Sequence, residues 1–468
     1  MDDIVVLPEY LHVISNDLAN HYKIIPKSLN DDEVQFYIDA FLLSEEAKEE
    51  LELLLNKKVV LNPLEGQKVE KALSVYYRKE RLNNTTKSFN IDNTDFLENL
   101  LLEAKSLKSS DIHFEIYEND ARIRFRIDGQ LIERYKVERD NYLELVNKVK
   151  IKSKLNITEK RLPQDGRITN NSFDIRVSIL PTLFGEKIVM RLLGQDASNI
   201  DLKSLGFQPE ELMSYLEAIK KPNGIILISG PTGSGKTTTL YATLRLLNDS
   251  KRNIVTVEDP IEYTLKGINQ VQLKEDIGLT FASALKSFLR QDPDIIMLGE
   301  IRDPETALMA IRASLTGHLV LSTIHTNSAP GTISRLIDMG IPSYLIAETM
   351  NLSVAQRLVR KLCIHCKIEV ECNHNDFPSG FKFPFLIDSY YKPTGCNNCY
   401  HTGYQGRRAI YEVLDMDSEI VKSIKNNTLN ELFAHNDNYK TLSDKAFAIL
   451  AEGETSLEEI YSILINMN

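Results

Sequence analysis

The stretch from Lys221 to Leu247, KPNGIILISGPTGSGKTTTLYATLRLL, constrains the fold more than any other part of the chain. Ile225-Ile226-Leu227-Ile228 is a short apolar run rich in β-branched residues, the pattern of a strand buried on both faces. It leads directly into Gly230-Pro231-Thr232-Gly233-Ser234-Gly235-Lys236-Thr237, which satisfies G-x-x-x-x-G-K-[ST] at every fixed position. Leu240, Leu244 and Leu247 recur at helical spacing, so a helix opens at Lys236. Strand, glycine loop and helix N-terminus in that order make a phosphate cradle. The segment from Gly230 to Thr238 would wrap phosphate oxygens through backbone N–H groups, helped by the helix dipole. Lys236 would reach the β- and γ-phosphates and Thr237 would ligate Mg²⁺, so the expected ligand is a nucleoside triphosphate.

Three further strands follow. Asn253 to Val257 ends in Glu258-Asp259-Pro260-Ile261-Glu262, and the proline stops the strand with its acids at the carboxyl end, where open parallel sheets bind ligands. Ile295 to Leu298 ends at Gly299-Glu300, with glycine where a Walker B strand usually carries aspartate. Leu319 to Ser322 lies between His318 and His325. Strands alternating with helices predict a doubly wound α/β core. Triphosphate hydrolysis needs a cradle, a carboxylate to orient water and cations for the developing charge. Glu300 is the expected Walker B acid, with Glu258 completing water activation or, alternatively, capping a turn. His325 and His318 are candidates for sensing the γ-phosphate, and Arg290 for pairing with the neighbouring acids or reaching another subunit.

Upstream, residues 1–80 read as a small docking or packing module. Leu42, Leu43, Ala47, Leu51, Leu54 and Leu55 suggest one amphipathic helix, and Val69, Ala72, Leu73 and Tyr76 another. Residues 81–93 are polar and read as a linker. A second domain, residues 94–197, opens with a helix carrying Leu97, Leu100, Leu101, Ala104 and Leu107. Residues 111–116 and 121–127 then alternate as half-buried strands do, with Asp128-Gly129 as a hairpin turn. Arg122, Arg124 and Arg126 share one face, expected to be solvated. Arg176 and Arg191 stand in apolar strand-like segments, where burial would require an anionic partner, either a carboxylate or a nucleotide phosphate. A hinge is expected at 198–203 and the nucleotide domain at 204–355.

Cys363-x-x-Cys366 and Cys396-x-x-Cys399 are two knuckles with the spacing of a closed Cys₄ zinc site, which leaves no open coordination position for catalysis. Residues 356–412 are the expected zinc module, and 413–468 a helical region with Ser456-x-x-Glu459 as a capping box. The fifth cysteine, Cys372, has no evident partner. A net charge of −11 argues against nucleic acid as the main partner, because phosphate neutralisation needs a basic surface. No apolar run approaches the length that spans a bilayer, and the acidic start MDDIVVLPEYL is unlike a signal peptide, so a cytoplasmic location is expected.

Taken together, SSDIHFE, RFRIDG, QDGR, RVSILPT, GEKIVMRLL, TVEDPIEY, QDPDIIMLGEIRDPETA, TGHLVLSTIHTN, TGYQGRRAIYE, the P-loop and the two knuckles resemble the secretion ATPases of type II secretion and type IV pilus assembly. The resemblance spans roughly residues 94–468. It implies a PAS-like domain joined to a RecA-like ATPase domain, a hexameric ring, and ATP-driven motion that works an inner-membrane platform protein, with a cytoplasmic adaptor, to extrude a pilus or pseudopilus. Membrane association would then come through these partners. It carries Glu258 and Glu262 onto the family's Asp box, Glu300 onto Walker B, His318 and His325 onto the His box, and Arg176 and Arg191 onto phosphate-contacting arginines. Lys286 departs from the family's second arginine. Retraction ATPases lack the cysteine module, which favours an assembly or secretion motor. The N-terminal eighty residues resemble the family's docking domain loosely and carry no cyclic-dinucleotide motif. The alternative reading is a RecA-like nucleic-acid translocase; a nucleotide-binding scaffold is a third.

Overall fold

The computed structural model describes residues 10, 13–14, 16–30, 33–55, 57–66, 68–69, 72–73, 87–88, 96–170, 173–193, 201–434 and 439–465. The N-terminal unit has a three-stranded sheet of β1 (Ile24–Leu29), β2 (Glu33–Asp39) and β3 (Lys58–Leu64), in that order. β1 and β2 are antiparallel, while the helix Glu45–Leu55 carries the chain over to β3, parallel to β2. Its core is Ile24, Ile25, Val34, Phe36, Ile38 and Leu51. Leu42 and Leu43 precede that helix and are exposed, because the turn after β2 has no core to face. Tyr76 lies outside the described residues.

The second domain is a seven-stranded sheet. Its strands are β4 (Lys87–Ser88), β5 (Asp111–Ile116), β6 (Ala121–Ile127), β7 (Gln130–Val137), β8 (Gln164–Asn170), β9 (Phe173–Thr182) and β10 (Gly185–Leu193), ordered β4-β7-β6-β5-β10-β9-β8. β4 falls within the span expected to be a linker and pairs with Tyr135 and Lys136 of β7; 81–86 and 89–93 lie outside the described residues. One sheet face, with Ile112, Phe114, Ile123, Phe125, Ile175, Val177 and Met190, packs on the helices Phe96–Ser106 and Arg139–Lys152. Strict alternation puts the charges on the other face.

That face is not simply solvated. Glu115 is buried and accepts from Arg122 Nε at 2.9 Å and Arg124 Nη2 at 2.6 Å, and Arg126 lies 3.6 Å from Asp111. The expectation of a free basic face is corrected for a physical reason: the acids of β5 sit directly opposite the arginines of β6, where unlike charges attract.

The third sheet holds β11 (Gly224–Ser229), β12 (Ile254–Glu258), β13 (Asn269–Gln272), β14 (Ile295–Leu298), β15 (Leu319–Ile324), β16 (Met350–Leu362) and β19 (Tyr404–Asp415), in the order β13-β12-β14-β15-β11-β16-β19. All pairs are parallel except β16 with β19. Every residue of β11 is buried, with apolar clusters on both faces, as its uninterrupted hydrophobic run requires. The boundaries expected at 355/356 and 412/413 are corrected: β16 and β19 run through them as one antiparallel pair of this sheet. Between them, the hairpin of β17 (Lys367–Glu371) and β18 (Ser389–Pro393) forms a separate two-stranded sheet that packs on the same core through Val370 and Tyr390, with the cysteine knuckles flanking it. Of the expected hinge, 198–200 lie outside the described residues and Leu202–Ser204 form a 3₁₀ turn. The C-terminal helices Leu442–Ala451 and Leu457–Ile465 cover the sheet. Ser456 Oγ does accept from Glu459 N at 3.3 Å, but the Glu459 carboxylate turns to Arg360, so the box closes on one side only.

Candidate functional site

The parallel order brings the ends of β12, β14 and β15 alongside the loop that leaves β11. Gly235 adopts φ 88° just before the helix Lys236–Leu247, which has no side-chain cap, so its first amides face the loop. Two of the loop glycines are required by one neighbour. A Cβ at Gly230 would stand 2.5 Å from the Gln356 carbonyl oxygen, and one at Gly235 would stand 2.8 Å from Gln356 Nε2. Gln356 is buried; its Nε2 donates to Ser234 O at 2.8 Å and its Oε1 accepts from Thr239 Oγ1 at 2.9 Å. Pro231, Thr232, Gly233 and Thr237 are exposed at the mouth, Thr238 is half-buried, and Ser234 and Thr239 turn inward.

Lys236 Nζ donates to Gly230 O at 2.7 Å and Pro231 O at 3.0 Å. Burial pushes its pKa down, the Glu300 charge pulls it up, and Arg357 pushes it down again. The lysine thus rests on the loop's own carbonyls, within the field of both an acid and a second cation.

The two candidate carboxylates occupy different surroundings. Glu300 stands just past β14, pairs with Arg302 and lies 3.3 Å from His325 Nε2. Glu258, at the end of β12, is buried with both oxygens engaged. Thr256 Oγ1 donates at 2.6 Å and Gln270 Nε2 at 3.1 Å to one oxygen, and the Tyr241 hydroxyl donates to the other. Tyr241 Oη in turn accepts from Glu262 N at 3.4 Å, joining the P-loop helix to the segment after β12.

His318 is not at this site. It precedes β15 whereas His325 follows it, which separates them by roughly 20 Å of strand at about 3.3 Å per residue. Its Nδ1 is 2.8 Å from Ala313 O, a local turn contact. Arg290 contacts Ser287 Oγ at 3.5 Å, and Lys286 pairs with Glu305 at 3.0 Å.

Arg176 and Arg191 lie opposite one another on β9 and β10. The expectation that both are buried among apolar neighbours is corrected. The Arg191 side chain is 60% exposed and that of Arg176 29%, because both fall on the polar face of the sheet. Arg191 Nε donates to Asp111 Oδ1 at 3.0 Å. Arg176 crosses to the nucleotide domain, donating to Ile261 O with Glu262 3.8 Å away. The second domain therefore sets a guanidinium on the segment that follows Glu258.

Cys363, Cys366, Cys396 and Cys399 bring all four Sγ atoms within 4.8 Å of one another. Sγ–Sγ separations of 3.8 Å for Cys363–Cys396, Cys366–Cys399 and Cys396–Cys399 match the edge of a tetrahedron with metal–sulfur bonds of about 2.3 Å. Burial, then the charge of Cys399, pushes the Cys366 thiol up to about 12. A thiol set held this tightly is the donor chemistry that a soft divalent cation relieves. Cys372 stands apart, packed against the core beside β17.

Three contributors were not singled out in the sequence: Arg302, Tyr241 and the Gln356-Arg357 pair. No sequence signal singled out Gln356, because other polar residues of β16 (Asn351, Ser353, Arg357, Arg360) surround it.

The family of type II/IV secretion system proteins matches residues 91–462. Over 323 residues the chain is 51% identical to the type IV pilus assembly ATPase PilB of Myxococcus xanthus, covering 67% of this chain and 57% of that protein. It is 46% identical over 373 residues to the type II secretion system ATPase E of Vibrio cholerae, covering 78% and 74%. Among solved structures, the pilus retraction motor PilT with bound ADP aligns at a TM-score of 0.55 and 26% identity, over 79% of this chain and 97% of that one. The ATPase DotB of Legionella pneumophila shares the fold at a TM-score of 0.59 and 22% identity, over 82% and 99%.

Proposed function

Because the chain belongs to the type II/IV secretion system protein family, we propose that it is an ATP-hydrolysing motor for assembly of a pilus or pseudopilus, in type II secretion or type IV pilus extension. The observation that carries the reading is the meeting of Lys236, Glu300 and His325 at one mouth. ATP is the substrate, and Mg²⁺, held with Thr237, supplies charge neutralisation at its phosphates. The amides of Gly230 to Thr238 hold the phosphate chain. Lys236 exchanges two carbonyl acceptors for phosphate oxygens, a stronger charge-assisted contact.

Glu300 orients the attacking water, since it stands at the mouth with His325, while Glu258 holds the segment where Arg176 docks. Arg176 and Arg191 present positive charge from the second domain. That domain is PAS-like in our reading and the nucleotide domain RecA-like. Zn²⁺ fits the four-cysteine cluster as a closed structural site. We further propose a homo-hexamer at the cytoplasmic face of the inner membrane, docked through its N-terminal module on a platform protein and an adaptor, with no nucleic-acid substrate.

Phosphate release by the purified protein tests this against Lys236→Ala, with acidic vesicles and with single-stranded DNA. Turnover lost in Lys236→Ala, raised by vesicles and indifferent to DNA is expected. Full turnover in Lys236→Ala would overturn the site, and stimulation by DNA alone would make the chain a translocase.

A further inference from the structure

β16 passes the P-loop before it reaches the first cysteine, and two adjacent residues of it meet the site from different sides. Gln356 supports the loop glycines from beneath, as described. Arg357 reaches outward. Its Nη1 donates to Gln356 O at 3.1 Å, and its Nη2 donates to Asn327 O at 3.0 Å and to Asn327 Oδ1 at 3.2 Å. A Cβ on Gly230 would lie 3.2 Å from Nη1, so the guanidinium stands against the first residue of the P-loop. Asn327 follows His325 by two residues, and Ser328 then caps the helix Ala329–Asp338 by accepting from Gly331 N at 3.1 Å. One planar fork, standing against the first P-loop glycine, therefore ties β16 to the loop that presents His325 to Glu300.

The setting is costly for a mere tether. Arg357 is half-buried, and the hydrogen bonds described for it go to neutral oxygens. The acid whose charge acts on it, Glu412, already accepts from Ala329 N at 3.0 Å, Leu442 N at 3.0 Å and Tyr439 Oη at 2.8 Å. A cation kept at the loop mouth with neutral acceptors suits a site that an anion enters.

We propose that Arg357 is a positioning residue for the γ-phosphate, its fork fixing the His325 loop against the P-loop so that His325 and Glu300 meet the terminal phosphate in register. This rests on the reading of the site as an ATP site. Because the fork acts through the His325 loop, its loss is expected to weaken the handling of a triphosphate more than that of a diphosphate. Lysine keeps the charge at 357 but cannot hold both Gln356 O and Asn327 O in one plane.

The test compares wild type with Arg357→Lys for kcat and KM on ATP, and for the dissociation constants of ADP and a non-hydrolysable ATP analogue. Expected are a kcat lowered on the order of ten- to a hundredfold, as for misplaced catalytic groups, ADP affinity within about twofold, and a reduced preference for the ATP analogue over ADP. Wild-type kcat and preference in Arg357→Lys would overturn the proposal. So would ADP affinity falling in step with kcat, which would make Arg357 a structural support of the P-loop. Should Arg357→Lys fold poorly, Asn327→Ala removes one acceptor and is expected to lower kcat and the analogue preference by a smaller factor; unchanged values there would also overturn it. A wild type that binds neither nucleotide would instead overturn the ATP-site reading.

Discussion

Glu258 and Glu300 end neighbouring strands, yet their hydrogen bonds assign them different tasks. Both Glu258 oxygens already accept from Thr256, Gln270 and Tyr241, whereas Glu300 faces Arg302 and His325 at the mouth. Glu300→Gln is expected to lower kcat by about a hundredfold or more with ADP binding retained, because a positioned acid acts only on the reacting water. Glu258→Gln would turn an amide N–H₂ toward a donor and cost about 1–3 kcal/mol of stability. Thermal melts beside single-turnover rates separate the two; a stable Glu258→Gln that is inactive would give Glu258 the chemistry. A second residue-scale prediction concerns Glu115. Burial alone would raise its pKa, but hydrogen bonds from Arg124 and Arg122 outweigh it and bring the carboxyl from 4.5 to about 2. A depressed pKa stabilises the fold above the unfolded value and loses that stability as pH falls through the window from about 4.5 to 2. Glu115→Gln should cost about 2–3 kcal/mol at neutral pH and flatten acid unfolding across that window. Denaturant titrations at pH 7 and pH 3 check it, and equal losses at both would mean that the arginines do not set the charge.

At the scale of elements, β11 and β14 were legible as short apolar runs because they are buried on both faces of a covered parallel sheet, and β5 and β6 were legible from their alternation. β16 and β19 were hidden because Arg357, Arg360, Arg407 and Arg408 interrupt them, so the stretch looked like flanking sequence of the cysteine knuckles. An antiparallel pair at the sheet's margin tolerates those charges, since part of each strand remains half-buried or exposed. The strand, glycine loop and helix around Lys236, and the strand ends that bring Glu300 and His325 together, were legible from order and spacing. His318 misled although the strand between the two histidines was legible, because the two ends of one strand stand on opposite edges of the sheet. The pairing of Gln356 with Gly230 and Gly235 was beyond a sequence reading, as it joins residues over a hundred positions apart. It explains those glycines by crowding as well as by backbone freedom, and it is testable. Gly230→Ala must move the backbone of β16 by overpacking, and nucleotide affinity should fall about a hundredfold or more while helix content holds. Fluorescent-nucleotide titration and circular dichroism read these out; unaltered affinity would mean that β16 yields freely.

At the scale of the whole molecule, two contacts among the described residues join the second domain to the rest, with different consequences. One is Arg176 on Ile261 O, at the nucleotide site. The other is the second cysteine knuckle with the start of β19 that follows it: Gly406 N donates to Asp128 Oδ2 at 2.8 Å, Arg407 lies 3.8 Å from Asp128, and the Tyr400 ring, beneath the Arg134 guanidinium at 5.6 Å, packs on the second domain's core. Tyr400 follows Cys399 directly and holds φ 50°, so the knuckle that would close around a metal also shapes the surface that docks. A residue other than glycine keeps such a φ only when its surroundings enforce it. Removing the metal should therefore loosen the domain contact before it disturbs the P-loop, whose support comes from Gln356 within the sheet. The Gly406 amide is the natural reporter, because its partner lies in the other domain. Its hydrogen exchange should accelerate in Asp128→Ala, accelerate likewise on chelation of the wild type, and gain nothing further when the two are combined. Amides of β11 should hold their protection throughout. If chelation exposed β11 and Gly406 together, the cysteine site would be part of the nucleotide domain's own stability rather than a clasp between the two halves.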